Sequence, residues 1–126
     1  MKLIMSIIRI AKMNETKKAL SDAGLPSFMA TSVMGRGIGR GLGSSYEKLM
    51  SDPGNKELLA QIGAEPRLKS KRFITLVVHD DKKDLAIETL IKANQTGNSG
   101  DGKIWVTECY DAIRVRTAER GDIVLD

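Results

Sequence analysis

The chain has 126 residues, of which 41% are hydrophobic and 29% charged, a composition typical of a single globular domain. It contains no apolar run long enough to cross a bilayer, and its apolar start is followed by charged residues and not by a signal-peptide cleavage site, so we expect no membrane partner. The single cysteine, Cys109, excludes an intramolecular disulfide and favours a cytoplasmic protein, and the aromatic content of 4% argues against a surface that stacks nucleic-acid bases.

The net charge of +4 is concentrated in one segment. Residues 36–72 hold eight basic and four acidic side chains, so this segment carries the whole charge and the remainder of the chain is neutral. The sequence GRGIGRGLG, near the start of the segment, has glycine at alternate positions, which gives backbone freedom at the expense of order. The basicity therefore belongs to one long connection and not to the whole surface.

The first part of the chain predicts a strand, a helix and a second strand. Residues 2–9 are nearly continuous in Leu, Ile and Met, as in a strand with both faces buried. Asn14 is a candidate N-cap for a helix over residues 15–23, which Gly24 ends. The inner stripe of this helix is expected to hold Thr16, Ala19, Leu20 and Ala23. Residues 28–36 predict a strand that runs into the glycines.

No strand pattern follows until residue 71. Within that interval, SDPGN predicts a turn and NKELLAQIG predicts at most a short helix. Residues 71–78 predict a third strand, and Asp80 or Asp81 is placed to cap a helix that extends to Asn94. The inner stripe of this second helix is expected to hold Ile87, Leu90 and Ile91. Its outer face is expected to hold Asp84, Glu88 and Lys92.

After a glycine loop, residues 103–110 predict a fourth strand and residues 112–117 a short fifth. The order β-α-β-β-α-β, with a long connection between the second and third strands, indicates an α+β ferredoxin-like sandwich. In this fold two helices cover one face of an antiparallel sheet. A connection of about 35 residues is unusual in a compact domain unless it has a function, and we favour that interpretation.

The glycine loop lies in TGNSGDGKIWV, residues 96–106, and is a candidate anion site. Residues 97–103 satisfy the spacing of a nucleotide-binding P-loop, but Ile104 stands where that motif has a magnesium-binding hydroxyl. The loop also runs from a helix into a strand, which is the reverse of a P-loop. Two interpretations remain. The loop is either an ordinary glycine-rich turn or a nest of backbone amides that binds an anion with the help of Lys103.

Arg114 and Arg116 in IRVRT are two residues apart and share one face of the predicted fifth strand. Two guanidinium groups on one face suit a polyphosphate, although the pair is equally compatible with a solvated strand edge. His79 stands beside two aspartates and favours a surface histidine over a metal ligand, and Cys109 is expected to pack in a strand. Because no catalytic triad, metal-ligand cluster or carboxylate pair stands out, we do not expect an enzyme or a metal site.

These motifs resemble those of the PII (GlnB-like) signalling proteins of nitrogen regulation. TGNSGDGKIWV is similar to the C-terminal signature of the family, and AIRVRTAERGD follows it at the usual distance. VMGRG, at the end of the second predicted strand, is similar to the start of the family's T-loop. LPSFMATSVMGRG and the long basic connection look most like the nitrogenase-associated NifI subgroup, in particular the second member of that pair. The resemblance covers essentially the whole chain.

The resemblance implies one PII-like domain over residues 1–126, with a T-loop at about 37–70 and a C-terminal segment at 111–126. It implies a homotrimer, or a hetero-oligomer with a paralogous PII-like subunit, that binds ATP or ADP between subunits. The nucleotide-binding residues that it implies are Gly35, Gly37, Gly100, Asp101, Gly102, Lys103, Arg114 and Arg116. Those implied for the effector 2-oxoglutarate are Gly39, Arg40 and Lys71. The implied target of the T-loop is nitrogenase, which docking of the loop inhibits.

Some residues depart from the family pattern. Ile38, Gly39 and Arg40 stand where typical members have Arg, Gln and Lys, and the missing glutamine helps to ligate magnesium and 2-oxoglutarate, which argues against an intact site for both. Met29 stands at a position that is often a nucleotide-contacting threonine. Ser51 stands at the tyrosine that is usually modified by uridylylation. Two alternatives stay open: a ferredoxin-like nucleic-acid-binding protein, favoured by the basic connection, and a small metal-tolerance-type trimer.

Overall fold

The computed structural model describes residues 1–37, 51–55 and 68–126, and these ranges form a four-stranded antiparallel sheet and two α-helices. The elements in chain order are β1 (Lys2–Ile8), α1 (Met13–Asp22), β2 (Met29–Gly35), β3 (Lys69–Val78), α2 (Lys83–Asn94) and β4 (Lys103–Glu108). The strand order in the sheet is β2-β3-β1-β4. This is the ferredoxin-like arrangement, so the predicted α+β fold class is confirmed.

The central strand β1 shows that the sheet has two different faces. Because side chains alternate along a strand, one set of β1 residues points to the helices and the other set points away from them. The residues that point to the helices and are buried are Ile4, Ser6 and Ile8. The residues that point away and are only half-buried are Leu3, Met5 and Ile7. We call the first the covered face of the sheet and the second the open face.

The core lies between the covered face and the two helices. Its buried apolar residues are Ile4, Ile8, Leu20, Leu25, Ile74, Leu76, Val78, Ala86 and Leu90. A buried hydrogen bond joins the helices within this core, since Asn94 Nδ2 donates to Thr16 Oγ1 over 3.0 Å. The Thr16 hydroxyl in turn donates to the Lys12 carbonyl over 2.7 Å. Packing and this polar link together fix α1 against α2.

Helix α1 begins earlier than the sequence suggested. One turn of 3-10 helix, Ile10–Lys12, precedes it, and Lys12 is the N-cap without a side-chain capping bond. The predicted cap at Asn14 is therefore wrong, because this residue lies inside the helix. The predicted end is confirmed: Gly24 has a φ of +78°, and its N–H donates to the Ser21 carbonyl over 3.0 Å.

Helix α2 differs from the prediction in the same way. Asp80 and Asp81 lie in a 3-10 turn before the helix, and Lys82 is the N-cap, so the predicted aspartate cap is wrong. Ile91 is 43% exposed and does not belong to the inner stripe. The buried residues of the helix are instead Ala86, Leu90 and Asn94. The predicted outer residues are exposed, and they are Asp84, Glu88 and Lys92.

The C-terminal segment does not contain the predicted fifth strand. Ile113 forms only an isolated bridge with Arg120, and residues 115–117 form a turn. The reason lies in the hydrogen bonds of the Arg114 carbonyl, which accepts the N–H of Ala118 over 2.7 Å. Ala118 has a φ of +61°, which breaks an extended course. The strand β3, in contrast, begins two residues earlier than expected.

Much of the connection between β2 and β3 lies outside the described residues, including Gly39, Arg40 and most of NKELLAQIG. Within it, Pro53–Asn55 forms one 3-10 turn, which agrees with the turn predicted for SDPGN. Among the helices in the described ranges, none is long and apolar enough to cross a membrane.

We expect Thr16→Val to lower the free energy of unfolding by about 1–3 kcal/mol, because it keeps the side-chain shape but leaves one of the two buried Asn94 Nδ2 hydrogens without an acceptor. The matched control is Thr89→Val in α2, whose hydroxyl makes the same helical bond, to the Leu85 carbonyl over 2.7 Å, at a more exposed position. Chemical denaturation measures both variants. Equal losses would contradict a special contribution from the buried link between helices.

Candidate functional site

The glycine loop, residues 95–102, connects α2 to β4 at the end of the sheet where β1 stops. The antiparallel registers bring other predicted residues to this end, because Ile7 pairs with Lys103 and Gly35 pairs with Lys69. We call it the glycine-loop end of the sheet. The predicted site residues that it brings together are Gly35, Gly37, Lys71, Gly100, Asp101, Gly102 and Lys103.

Three glycines of the loop adopt backbone angles that other residues rarely adopt. The φ angle is +86° at Gly97, +97° at Gly100 and +109° at Gly102. Gly102 also lies directly against β1, since a Cβ atom there would be 1.8 Å from the carbonyl oxygen of Ile7. The course of the loop therefore requires glycine at position 102 on two independent grounds, conformation and space.

Asp101 holds the loop together through its carboxylate. One oxygen accepts the N–H of Thr96 over 2.8 Å and that of Gly97 over 2.9 Å. The other accepts the Thr96 hydroxyl and pairs with Arg9, each over 2.5 Å. Burial raises the pKa of this carboxyl, but the hydrogen bonds from Thr96, Arg9 and Gly97 outweigh burial and hold the pKa well below its ordinary value of 3.8. Asp101 is therefore an ionised anchor of the loop.

Arg9 and Lys71 extend this network to the ends of β1 and β3. Arg9 also donates to the Ser99 carbonyl over 2.9 Å, and Lys71 Nζ donates to the Gly100 carbonyl over 3.1 Å. Burial, followed by the positive charges of Arg9 and Lys69, lowers the pKa of Lys71 below its ordinary value. Positive charges thus crowd at this point, and an added anion would relieve their repulsion.

Lys103 offers a further cation at the same end. It is exposed at the start of β4 and shares the open face with Ile7, its partner in β1. Its ammonium has no salt-bridge partner in the described part of the chain. Its position is compatible with the second interpretation of the sequence, in which the glycine loop and Lys103 bind an anion together.

Arg114 and Arg116 lie in a turn, so the expectation that they share one face of a strand is wrong. We call residues 112–120 the arginine turn. The guanidinium of Arg114 donates to the Glu119 carboxylate over 2.8 Å and to the Ile123 carbonyl over 3.4 Å, which fixes its position. Arg116 is exposed in the turn. Arg114 borders a cavity of about 570 Å³, whose other lining residues include Leu3, Phe28, Met29, Thr75 and Val77.

The arginine turn and the glycine loop are at opposite ends of the sheet. The cavity beside Arg114 includes Leu3, near the start of β1, whereas the loop contacts Arg9, just after its end. Strand residues are spaced by about 3.3 Å, so the distance from Leu3 to Arg9 is about 20 Å. The triphosphate of a nucleotide is shorter than this span. One chain therefore cannot bring both groups of predicted residues to the same phosphates.

The sequence interpretation missed several residues of these networks. Arg9 gave a usable signal, because it is an arginine directly after a strongly apolar strand. Thr96 and Ser99 act through a hydroxyl, an amide or a carbonyl, for which the sequence gives little signal. Glu119 was not recognised as the partner of Arg114.

The weaker candidates stay apart from this site. His79 Nδ1 is 4.0 Å from a carboxylate oxygen of Asp122. Cys109 is a half-buried free cysteine just beyond β4, so it does not pack within the strand as expected. Its thiol is 3.3 Å from the Asp111 carbonyl. Within residues 1–37, 51–55 and 68–126, no group of three or more His, Cys, Asp or Glu side chains is arranged to hold a metal ion.

Comparisons with known proteins agree with the motifs. The family model "Nitrogen regulatory protein P-II" matches residues 1–119. The chain is 41% identical to "Nitrogen fixation nifHD region glnB-like protein 2" of Methanococcus maripaludis over 125 residues, 99% of this chain and 100% of the relative. A protein of the same description from Methanobacterium ivanovii is 41% identical over 97% of both chains. "Nitrogen regulatory protein P-II" of Bradyrhizobium diazoefficiens is 36% identical over 96% of both.

Asp101→Asn should lower the free energy of unfolding at pH 7 by about 1–3 kcal/mol, because it removes the charged acceptor of Arg9 and weakens the amide bonds in the loop. The folded-state pKa is depressed, so the carboxylate contributes fully above its unfolded value of 3.8, and this contribution is lost as the pH falls towards the lower folded value. The stability difference between wild type and variant should therefore shrink below about pH 4.

Denaturation at a series of pH values measures this difference at a fixed protein concentration. The control is Asp84→Asn, whose side chain is 81% exposed on α2 and should give a small difference at every pH. If the difference for Asp101→Asn stayed constant down to about pH 3, the carboxylate would not be the anchor.

Gly102→Ala should lower the free energy of unfolding by about 3 kcal/mol or more, since the added Cβ collides with the backbone of β1. Gly97→Ala is the matched control: its φ is also positive, but nothing lies within 4 Å of its Cβ position, so we expect about 1–2 kcal/mol from conformation alone. Chemical denaturation compares the two variants. Equal losses would show that the loop can move away from β1.

Proposed function

The chain belongs to the PII family of nitrogen regulatory proteins, in the nitrogen-fixation group indicated by its motifs, and we propose that it is a trimer that binds ATP or ADP between subunits and signals through its T-loop. The observation that carries this proposal is the location of the glycine loop and the arginine turn at opposite ends of one sheet. The role proposed is regulatory and not catalytic.

Rotational symmetry brings the separated residues together. In a closed ring, the glycine loop of one subunit can face the arginine turn of the next, and the same contact repeats at every interface. Each cleft then contains Lys103 from one subunit and Arg114 and Arg116 from its neighbour. A site that is incomplete in one chain becomes complete between two chains.

The open face of the sheet supports assembly. Both α-helices pack on the covered face, so the open face is left with half-buried apolar residues such as Met5 and Ile7 and with Trp105, which is 44% exposed. Beyond β4, Tyr110 and Val115 are each 97% exposed. Apolar surface of this kind is stabilised when a partner covers it, and copies of the same chain are the partners that symmetry provides. A paralogous PII-like subunit in place of one copy would cover the same apolar surface.

In the proposed cleft, Lys103 and the later part of the glycine loop receive the phosphates. Gly100 and Gly102 permit close approach of backbone amides, and Asp101 shapes the loop through its bonds from the amides of Thr96 and Gly97. Gly35 and Gly37 at the end of β2 leave room on the same side, because neither has a side chain. Arg114 enters from the neighbour already held by Glu119.

Lys71 is the described residue of the proposed effector site, which also includes Gly39 and Arg40 outside the described residues. The positive charges of Lys69, Lys71 and Arg9 favour an anion such as 2-oxoglutarate at this point. Without the family's glutamine, a magnesium ion has lost one ligand. We therefore propose that a dicarboxylate at this place depends on lysine and arginine more than on the metal.

We propose that residues 37–70 act as the T-loop of a single PII-like domain over residues 1–126, with residues 111–126 as its C-terminal segment. The relatives named for the nifHD region suggest nitrogenase as the target. The basic charge of the loop would accelerate encounter with an acidic surface and make it sensitive to salt. A cytoplasmic location, inferred from the single cysteine, would place the protein with this target. Neither a membrane nor a nucleic acid is part of the proposal.

Lys103→Ala and Arg116→Ala should each weaken ATP binding by about 1.5–3 kcal/mol, the loss of a charge-assisted hydrogen bond. Lys92→Ala, an exposed residue on α2, is the control and should leave the affinity unchanged. Calorimetry gives the affinities, and light scattering checks that all variants remain trimers. Unchanged affinity in both site variants would show that the glycine loop is an ordinary turn and not a nucleotide site.

Co-assembly of the two variants tests whether the cleft is shared. A ring that contains both kinds of subunit has one cleft with an intact Lys103 and an intact Arg116. Random mixing of equal amounts should therefore restore wild-type affinity at about one quarter of all sites. If both residues acted within one chain, mixing would restore none.

Deletion of residues 43–64 should abolish inhibition of the target while trimerisation and ATP binding survive, because the strands and the glycine loop remain. Nitrogenase assays with the purified variant measure the first property, and light scattering with calorimetry measures the others. A deletion variant that still inhibited nitrogenase would show that the long connection is not the effector, without affecting the nucleotide proposal.

A further inference from the structure

Residues 122–126, which we call the strap, form one wall of the cavity of about 570 Å³ beside Arg114. The strap residues that line the cavity are Val124, Leu125 and Asp126. A wall of this kind either belongs permanently to the site or moves away when a ligand binds. The contacts that hold the strap favour movement.

The backbone of the strap is weakly attached to the rest of the fold. In the part of the chain that the structure describes, its backbone–backbone hydrogen bonds are made only within the strap and to Gly121. No residue of its 3-10 turn, Asp122–Val124, is buried, and Ile123 is 66% exposed. Gly121 has a φ of +84° and is suited to act as a hinge, because glycine adopts either sign of φ. Segments with so little buried apolar surface open at a low cost in free energy.

Among the described residues, three side-chain contacts hold the strap against the fold, and each is at least partly exposed. They are the Ser27 hydroxyl donating to the Asp126 carboxylate, Arg114 Nη2 donating to the Ile123 carbonyl over 3.4 Å, and His79 Nδ1 at 4.0 Å from the Asp122 carboxylate. We call the strap docked when it makes these contacts.

An anion at Arg114 disfavours the docked strap for two reasons. The first is competition for Nη2, because a charge-assisted bond to a phosphate is stronger than the 3.4 Å bond to the Ile123 carbonyl. The shorter bond from Nη1 to Glu119, 2.8 Å, can persist. The second reason is charge, since the Asp126 carboxylate lines the same cavity and repels an anion there. Both effects have the same sign.

We propose that the strap is an autoinhibitory segment, which the binding of an anion at Arg114 releases. The docked strap occupies one donor of Arg114 and adds a negative charge to the cavity, and its release removes one wall and opens the cavity. The coupling is reciprocal, so any change that loosens the strap strengthens the binding of the anion. This inference rests on the proposed function only for the identity of the anion, the phosphates of ATP or ADP.

The first test uses sodium tripolyphosphate, which carries phosphates without a base and needs only Arg114 of one chain. The isotope-labelled full chain is titrated at an ionic strength kept constant with sodium chloride. The Arg114 Nε–H signal reports binding, and NMR relaxation of backbone amides reports the order of the strap. We expect a saturable shift at Arg114 and, over the same concentrations, a loss of order in residues 122–126. A shift at Arg114 with an unchanged strap, or no saturable shift at Arg114, would overturn the proposal.

Two variants loosen the strap in different ways. Ser27→Ala removes the donor to Asp126 and should lower the order of the strap before any anion is added. Asp126→Asn removes the charge but keeps an acceptor oxygen for Ser27. Each should strengthen tripolyphosphate binding about threefold, the effect of one exposed hydrogen bond or charge on the docked state. Weaker binding in both variants would show that the strap is a permanent wall of the site.

The matched controls change the same groups outside the cavity. Ser21→Ala removes an exposed hydroxyl from α1, and Asp81→Asn removes an exposed carboxylate from the 3-10 turn before α2. Both should leave the order of the strap and the affinity for tripolyphosphate unchanged. Gains in affinity as large as those of the strap variants would contradict a specific role for the strap.

Calorimetry with ATP on the same variants separates this inference from the proposed function. If ATP does not bind but tripolyphosphate releases the strap, the nucleotide proposal fails and the strap inference stands. If ATP binds with equal affinity to wild type, Ser27→Ala and Asp126→Asn and leaves the strap ordered, the strap inference fails and the nucleotide proposal stands.

Discussion

The contact between Asp101 and Arg9 is the constraint on which the glycine-loop end of the sheet depends. It joins the loop between α2 and β4 to the end of β1, while the same carboxylate collects the amides of Thr96 and Gly97. Gly102 can then pass within contact distance of Ile7 because it has no side chain. The loop is thereby shaped before any ligand arrives, and a preorganised site loses less conformational entropy on binding.

Antiparallel topology explains why one chain does not complete the proposed nucleotide site. The two motifs are close in sequence, but β4 runs between them along the whole sheet and carries Lys103 and Arg114 to opposite ends. Folding thus separates what the sequence places together. The apolar residues of the open face are also left uncovered, since both helices pack on the other side. A symmetric assembly would complete the proposed site and cover the open face at the same interface.

The sequence predicted what depends on periodicity and missed what depends on tertiary contacts. Four strands, two helices and their order follow from alternation and helical spacing, and Gly24 ended its helix as expected. The helix starts failed because 3-10 turns precede both helices, which local capping patterns do not reveal. The fifth strand failed because Ala118 and the Arg114 carbonyl form a turn. Asn94, and not Ile91, is buried on the inner stripe of α2. The sequence did not predict this because the hydrogen-bond partner of Asn94, Thr16, is in the other helix.

The candidate site residues also divide into those that the sequence predicted and those that depend on tertiary contacts. The glycine positions were predictable because positive φ angles and close backbone approach favour glycine alone. The side chain of Asp101 was not, because nothing local indicates whether a carboxylate turns towards its own loop or towards a ligand. Arg9 is 92 positions away from Asp101 in sequence, and only the register of β1 with β4 brings the two together.

Because the Asp101 carboxylate turns towards its own loop, fewer backbone amides of the loop are available to an anion. Its carboxylate already uses the amides of Thr96 and Gly97, so a phosphate would have to use amides from the later part of the loop, next to Lys103. Lys71 holds the Gly100 carbonyl from the other side. An effector that draws Lys71 away from this carbonyl would act on the segment that we propose receives the phosphates. Coupling between effector and nucleotide then requires only that the two ligands prefer different positions of one short loop.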